Sequence, residues 1–195
     1  MMPEPLLPVV DGLTLPDEYR AVLRPGETLT DAAGTDHELP RWFYRVDSWE
    51  QALDTPLTEH FDLWEFIGVD VREAPPMRSF PRYVPCAVTA LAAALEVFRL
   101  AAGTYVHIAA NGGYRSPAHA LTRQASRHCW GVAANIYRVG DDWLDEEGVI
   151  DRYADIARRT IPGVWLRPFG LESGQADDHL HLDLGYVTTR PVQDE

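Results

Sequence analysis

Ser126-Arg127-His128-Cys129-Trp130-Gly131-Val132-Ala133-Ala134-Asn135 is the stretch on which the reading of this chain turns. His128 stands three residues before Gly131 and seven before Asn135, and Gly131, Ala133 and Ala134 between them are small. The run from Gly131 to Val139 reads as a β-strand. Small residues let such a strand lie close to neighbouring backbone. A histidine at the loop end and position 135 inside the strand can then meet at one point.

Two further clusters flank it. Downstream, Asp178-His179-Leu180-His181-Leu182-Asp183 runs into a strand predicted over Leu180 to Val187. Side chains alternate along a strand, so His179, His181 and Asp183 share one face. Two imidazoles and carboxylates on one face are the raw material of a zinc site, with Asp178 just ahead of them. Alone, an H-x-H is a weak signal, because hydrogen-bonded or solvated histidines on a strand look the same. Upstream, Gly113-Tyr114-Arg115-Ser116 follows a strand predicted over Thr104 to Ala110 and the turn Asn111-Gly112-Gly113. Taken singly, Arg115 reads as a surface arginine after that turn.

In combination the clusters are far more specific. The pattern S-R-H-C-W-G-V-A-A-N resembles the S-x-H-x-x-G-x-A-x-D signature of the zinc D-alanyl-D-alanine carboxypeptidases, which share their fold with the Hedgehog signalling domain. The Y-R-S upstream and the D-H-x-H downstream occur in the family's order. Leu57-Thr58-Glu59-His60-Phe61 through Trp64-Glu65-Phe66 resembles the opening segment of its endolysin-like members. The resemblance covers roughly residues 56 to 187. It implies that His128 and His181 are zinc ligands and that Asp178 is the general base on the attacking water. It also implies that Arg115 polarises the scissile carbonyl and that His179 is a neighbouring oxyanion-stabilising histidine. Ser126 and Asp183 fit supporting roles, fixing the tautomer of a ligand. The implied activity is that of a metallopeptidase, a hydrolase of amides beside D-amino acids, as in peptidoglycan stem peptides or cross-links of the cell wall. The implied partner is therefore a peptide or peptidoglycan fragment.

One position departs from the pattern. The family's third zinc ligand is an aspartate, and Asn135 stands there. A neutral amide oxygen is a poorer ligand than a carboxylate, so metal retention is expected to weaken by at least the 10–100-fold typical of second-shell losses. Three outcomes stay open: zinc held by His128, His181 and the Asn135 oxygen; a substitute ligand such as Cys129 or Asp183; or an empty site. The last would make the protein a catalytically inactive relative that acts in binding or scaffolding.

The rest of the chain supplies the frame. Val84 to Leu100 places apolar residues at Val84, Val88, Leu91, Leu95 and Phe98 and meets Gly103 as a stop, which predicts a buried helix. Asp62 is a plausible N-cap of a short helical turn, Glu146 to Arg159 reads as a helix, and Gly163 to Arg167 reads as a strand. Residues 69 to 82, with Pro75, Pro76 and Pro81, are expected to be loop. Strands before and after long helices without strict alternation predict an α+β fold: an antiparallel sheet with flanking helices, of the Hedgehog/DD-peptidase type where the resemblance is followed. Residues 1–55, rich in Pro, Gly, Asp and Thr, are expected to be an irregular N-terminal arm, and 56–190 the peptidase-like domain.

Composition narrows the function. All seventeen basic residues among the 195 are arginine, against thirty Asp and Glu, for a net charge of −13. Without lysine there is no Walker A loop, Schiff base or pyridoxal chemistry. The acidic balance argues against nucleic acid and anionic membranes as partners. No secretory signal is visible, and no stretch approaches a run of about 18 apolar residues. The expected location is the cytoplasm, or outside it by a non-classical or phage-type route. Cys86 and Cys129 are too few for a disulfide framework, and His37, His60, His107 and His119 lack paired spacing.

Overall fold

A computed structural model describes residues 7–172 and 174–191. The chain opens with β1 (Val9–Asp11), α1 (Asp17–Leu23), the hairpin strands β2 (Thr28–Thr30) and β3 (Asp36–Glu38), and β4 (Trp42–Val46). Three short helices and a strand lead into the main helix: α2 (Trp49–Leu53), α3 (Leu63–Ile67), α4 (Pro75–Arg78), β5 (Arg82–Pro85) and then α5 (Val88–Ala102). The second half holds β6 (Val106–Ile108), β7 (Ala133–Val139), β8 (Asp142–Trp143), α6 (Glu147–Thr160), β9 (Trp165–Leu166) and β10 (Leu180–Asp183). The strands form three antiparallel sheets, with order β1-β4-β5 in one, β6-β7-β10-β9 in a second, where β8 adds to β7, and the β2-β3 pair as the third. This is a mixed, α+β arrangement. Among the described residues no helix is long and apolar enough to cross a membrane.

The main helix forms for the reason its spacing gives. Val88, Leu91, Ala92, Leu95 and Phe98 fall on one face and are all buried. Gly103 ends it at φ 73, donating its N–H to the Arg99 carbonyl. The helix begins four residues later than the periodicity predicts, because Val84 lies in β5 opposite Tyr44. Along β7 and β10 the residues Ala134, Ile136, Leu180 and Leu182 face the same core as α5 and α6. Asn135 and His181, on the opposite face, stand across from each other in register. The alternation that buries one side of this sheet therefore delivers the polar pair to the other.

The first 55 residues differ from expectation. From Leu7 on they carry short strands and helices, and Leu15, Tyr19, Leu23, Phe43, Val46 and Ala52 join the core cluster that contains α5 and β10. Three-residue strands are too short to show alternation, and the partners that stabilise them are distant: Val9 pairs with Tyr44, and Tyr44 with Val84. The segment 69–82 is likewise not all loop. Pro75 and Pro76 occupy the first turn of α4, where a missing N–H costs nothing. The predicted strands also shrink. Gly131 lies outside β7 at φ 71, and β9 and β10 cover only parts of the runs predicted for them.

Candidate active site

His128 lies in a single 3-10 turn, Arg127–Trp130, immediately before β7. Its position is set by the Gly112-Gly113 turn. A Cβ at Gly113 would stand 2.3 Å from the Phe66 carbonyl oxygen, so only glycine lets this backbone pass. The Gly113 carbonyl accepts the Nδ1–H of His128 at 2.7 Å, and the Arg115 amide donates to the His128 carbonyl at 3.3 Å. The motif histidine and the Y-R-S segment are thus pinned to each other. Asn135 donates its amide N–H to the Gly112 carbonyl and accepts from the Ala109 N–H, which fixes β7 beside the same turn.

The two histidines meet. Their ring centroids are 5.1 Å apart at 70°, and both are almost fully buried. His181 Nδ1 lies 2.8 Å from Asn135 Oδ1, and its Nε2 lies 3.1 Å from Asp183 Oδ2. Ala133, opposite Asp183 in register, is small enough to leave that carboxylate room. Burial holds both imidazoles below their ordinary pKa, assisted at His128 by the Arg115 guanidinium and at His181 by Arg167. His128 is pushed well down, and His181 to about 4 although Asp183 opposes the shift. Both rings are therefore neutral at pH 7, each with one N–H.

Those protons have fixed places. The Gly113 carbonyl only accepts, so His128 carries its proton on Nδ1 and presents a lone pair at Nε2, which is buried without a hydrogen-bond partner. The Asp183 carboxylate likewise claims a proton on His181 Nε2, leaving a lone pair on Nδ1 facing the Asn135 side chain. Two acceptors 2.8 Å apart repel unless a cation lies against both or the amide turns its N–H toward the ring. An orphaned nitrogen, a second imidazole lone pair and an amide oxygen in one place are a donor set that zinc fits, with Asp183 behind His181 as the usual supporting carboxylate. The set needs the amide: among the described residues no three His, Cys, Asp or Glu side chains gather into a metal-binding group. Neither substitute ligand changes this. Asp183 is committed to the far nitrogen of His181 and to the Gly185 amide. Cys129 packs with Leu39, Trp130 and Val132, its thiol pushed up to about 12 by burial.

His181 and Asn135 open onto a cleft of about 420 Å³ lined also by Arg115, Ser126, Trp165 and His179, with His128 buried and outside the lining. His179 turns its Nδ1 to Asp178 at 2.5 Å and leaves Nε2 buried without a partner. Asp178 itself is outside the lining, its side chain 78% exposed, and reaches the cleft only through His179. Ser126 lines the wall, where its hydroxyl makes no hydrogen bond to any described residue. Arg115 is buried and its Nε is unpartnered; burial lowers it to about 10, with the Arg167 guanidinium adding to the shift.

Several contributors have no signal in the sequence motifs. Arg167 follows a two-residue strand and donates its backbone N–H to the His181 carbonyl. Glu73, buried in the proline-rich segment, accepts from both the amide and the hydroxyl of Ser116 and so fixes the residue after Arg115. Asn111 accepts from the Asp70 amide and bonds His119 Nε2 at 2.9 Å, bracing the turn from below. The first 55 residues also reach the site: Asp31 and Ala32, in the β2–β3 turn, line the cleft. That hairpin is held by His37 stacking on Tyr186 at 3.4 Å and by Trp130 donating its indole N–H to the Glu38 carbonyl. The other histidines are structural, as their spacing implies: His60 bonds Glu96 and His107 packs beside Arg138. Trp130 is core, and Trp165 is half exposed on the cleft wall.

Comparison with family models, curated proteins and solved structures gives no match to this chain.

Proposed function

We propose that the cleft is the active site of a zinc-dependent peptidase of the DD-carboxypeptidase/endopeptidase type, acting on peptides that contain D-amino acids. The carrying observation is the pair of buried neutral imidazoles with free lone pairs at His128 Nε2 and His181 Nδ1, where His181 and the Asn135 amide line the cleft and the His128 ring lies 5.1 Å from that of His181. On this reading His128, His181 and Asn135 hold the zinc, which when bound supplies Lewis acidity toward the scissile carbonyl. The sheet that carries them is then of the Hedgehog/DD-peptidase type.

The chain's own groups divide the remaining work. Arg115, buried with an unsatisfied Nε, is preorganised to meet negative charge growing on the carbonyl oxygen. Asp178 holds the proton of His179 on Nδ1, so Nε2 of this cleft residue is left as a buried acceptor without a partner. His179 is therefore the group placed to take a proton from the attacking water, and Asp178 the one that orients it. This reverses the roles implied by the resemblance, because a carboxylate so exposed and already engaged does not reach into the cleft. Asp183 fixes the tautomer of His181 and Glu73 fixes the arginine segment.

Asn135 favours a second reading, in which the pocket is kept for binding peptides without cleaving them. Incubating the zinc-supplemented protein with L,D- and D,D-terminated peptides and with wall fragments, followed by mass spectrometry of the products, separates the two. Release of a terminal D-residue or cleavage of a cross-link, lost in His179→Ala and Arg115→Gln, supports the peptidase. No product from the parent, together with cleavage by Asn135→Asp, supports the binding protein.

A further inference from the structure

Among the described residues three histidines are buried, and His119 is the one outside the pocket shared with Asn135. It stands in the chain segment that leaves Ser116 and becomes the cleft wall at Leu121 and Arg123. Both nitrogens of its ring have partners whose roles are fixed. The Leu121 backbone N–H can only donate and reaches Nδ1 at 3.0 Å, so Nδ1 carries no proton. Burial lowers the pKa of the ring, with the Arg115 and Arg72 guanidiniums adding to the shift and the Glu73 and Asp70 carboxylates opposing it. The ring is thus neutral at pH 7 and holds its single proton on Nε2, which donates to Asn111 Oδ1 at 2.9 Å.

That bond joins residues eight apart in the chain and closes a loop between them. Inside the loop lie Gly113, whose carbonyl holds the His128 Nδ1–H, and Arg115, whose amide donates to the His128 carbonyl. Each end of the loop is anchored independently. Asn111 stands at φ 58, donates its N–H to the Gly68 carbonyl at 2.6 Å, and accepts the Asp70 N–H on the same Oδ1. His119 donates its N–H to the Ser116 carbonyl and accepts the Thr122 N–H, while Ser116 is fixed on buried Glu73. One side-chain bond between two anchored ends therefore sets the path of everything between them.

We propose that His119 is a positioning residue for the cleft: its Nε2–H bond to Asn111 closes the 111–119 loop and so sets where Arg115 and the His128 ring stand, while its Nδ1 ties the cleft wall at Leu121 to the same ring. His119 lies outside the lining of the cleft, so its contribution is geometric. A misplacement of about 1 Å at reacting groups costs on the order of 100-fold in rate. That the clamp is read as a rate rests on the peptidase reading; the clamp itself does not.

The test is a double-mutant cycle on zinc-supplemented full-length protein. His119→Leu removes both ring bonds, and Asn111→Gly removes the acceptor while leaving a backbone free to stand at positive φ. Either change is expected to lower kcat for a D,D-terminated peptide by about tenfold or more with KM changed less than about threefold, and the double variant to be no worse than the single ones. His119→Gln, which keeps a donor and an acceptor, is expected to recover most of the rate. Losses that multiply in the double variant, parental kcat in His119→Leu, or equal impairment by Gln and Leu overturns the proposal. Imidazole N–H resonances read the clamp without turnover, and in the parent alone if a variant does not fold. His119 is expected as the Nε2–H tautomer at pH 7, and the His128 Nδ1–H as a protected proton that exchanges at least about tenfold faster in His119→Leu. A proton on His119 Nδ1, or His128 exchange unchanged in folded His119→Leu, overturns the proposal. A parent that shows these resonances and cleaves no peptide sinks the peptidase reading alone.

Discussion

Glu65 illustrates how a single residue sets a pH response. Its carboxylate accepts the Asp62 amide at 3.0 Å and closes a capping box at the start of α3. Burial pushes its pKa up to about 7, with the Asp62 charge adding to the shift against the stabilising amide bond. The unfolded carboxyl loses its proton near 4.5, so between that pH and about 7 the folded chain holds the proton and the unfolded chain does not. Stability from this group is present below the lower value and falls as pH rises through the upper one. Glu65→Gln keeps an acceptor for the cap and removes the titration. Urea unfolding at pH 5 and pH 8 is expected to show the variant gaining about 1–2 kcal/mol on the parent at the higher pH. Parallel stabilities at both pH values contradict the assignment. At the same scale, Asn135, His128 and His181 were legible because their chemistry is local to short motifs. Arg167 and Glu73 were not, since a lone arginine and a lone glutamate carry no spacing, and only tertiary placement gives them a role.

Among elements, those with a long period read best. α5 and α6 each present repeated apolar positions and appear within a few residues of expectation. β7 announces itself by length, whereas β1, β2 and β3 are three residues each and owe their existence to partners elsewhere. The turn between β6 and the Y-R-S segment joins element to site. It reads as a glycine turn in the sequence, but the demand for glycine comes from the α3 carbonyl of Phe66 pressed against Gly113. Gly113→Ala forces that backbone apart and with it the carbonyl that orients His128. Thermal unfolding is expected to show a loss of roughly 2–4 kcal/mol, larger than the ordinary Gly→Ala effect at an unstrained site. A variant as stable as the parent contradicts the close approach.

For the whole molecule, the consequence of the shared core is that the N-terminal segment is not dispensable. β4 lies between β1 and β5, and Leu23, Phe43 and Val46 are buried in the cluster built around α5. The β2–β3 hairpin also rests on Trp130, inside the motif that carries His128. A chain starting at residue 56 is expected to lose its cooperative thermal transition in circular dichroism, because β5 loses its strand partner and several fully buried side chains lose theirs. A fragment that melts cooperatively near the parent's midpoint contradicts a single core. Composition alone suggested an arm, since proline, glycine and acidic residues are the usual marks of irregular chain. The aromatic and aliphatic residues between them do the anchoring.

The account depends most on His128, Asn135 and His181 acting as one pocket for a divalent cation. Calorimetric titration of metal-free protein with zinc measures this directly. The expected result is one zinc per chain, binding lost in His128→Ala and His181→Ala and tightened by about tenfold or more in Asn135→Asp, where a charged oxygen replaces a neutral one. Zinc binding indifferent to the histidine variants, or none by either the parent or Asn135→Asp, contradicts it.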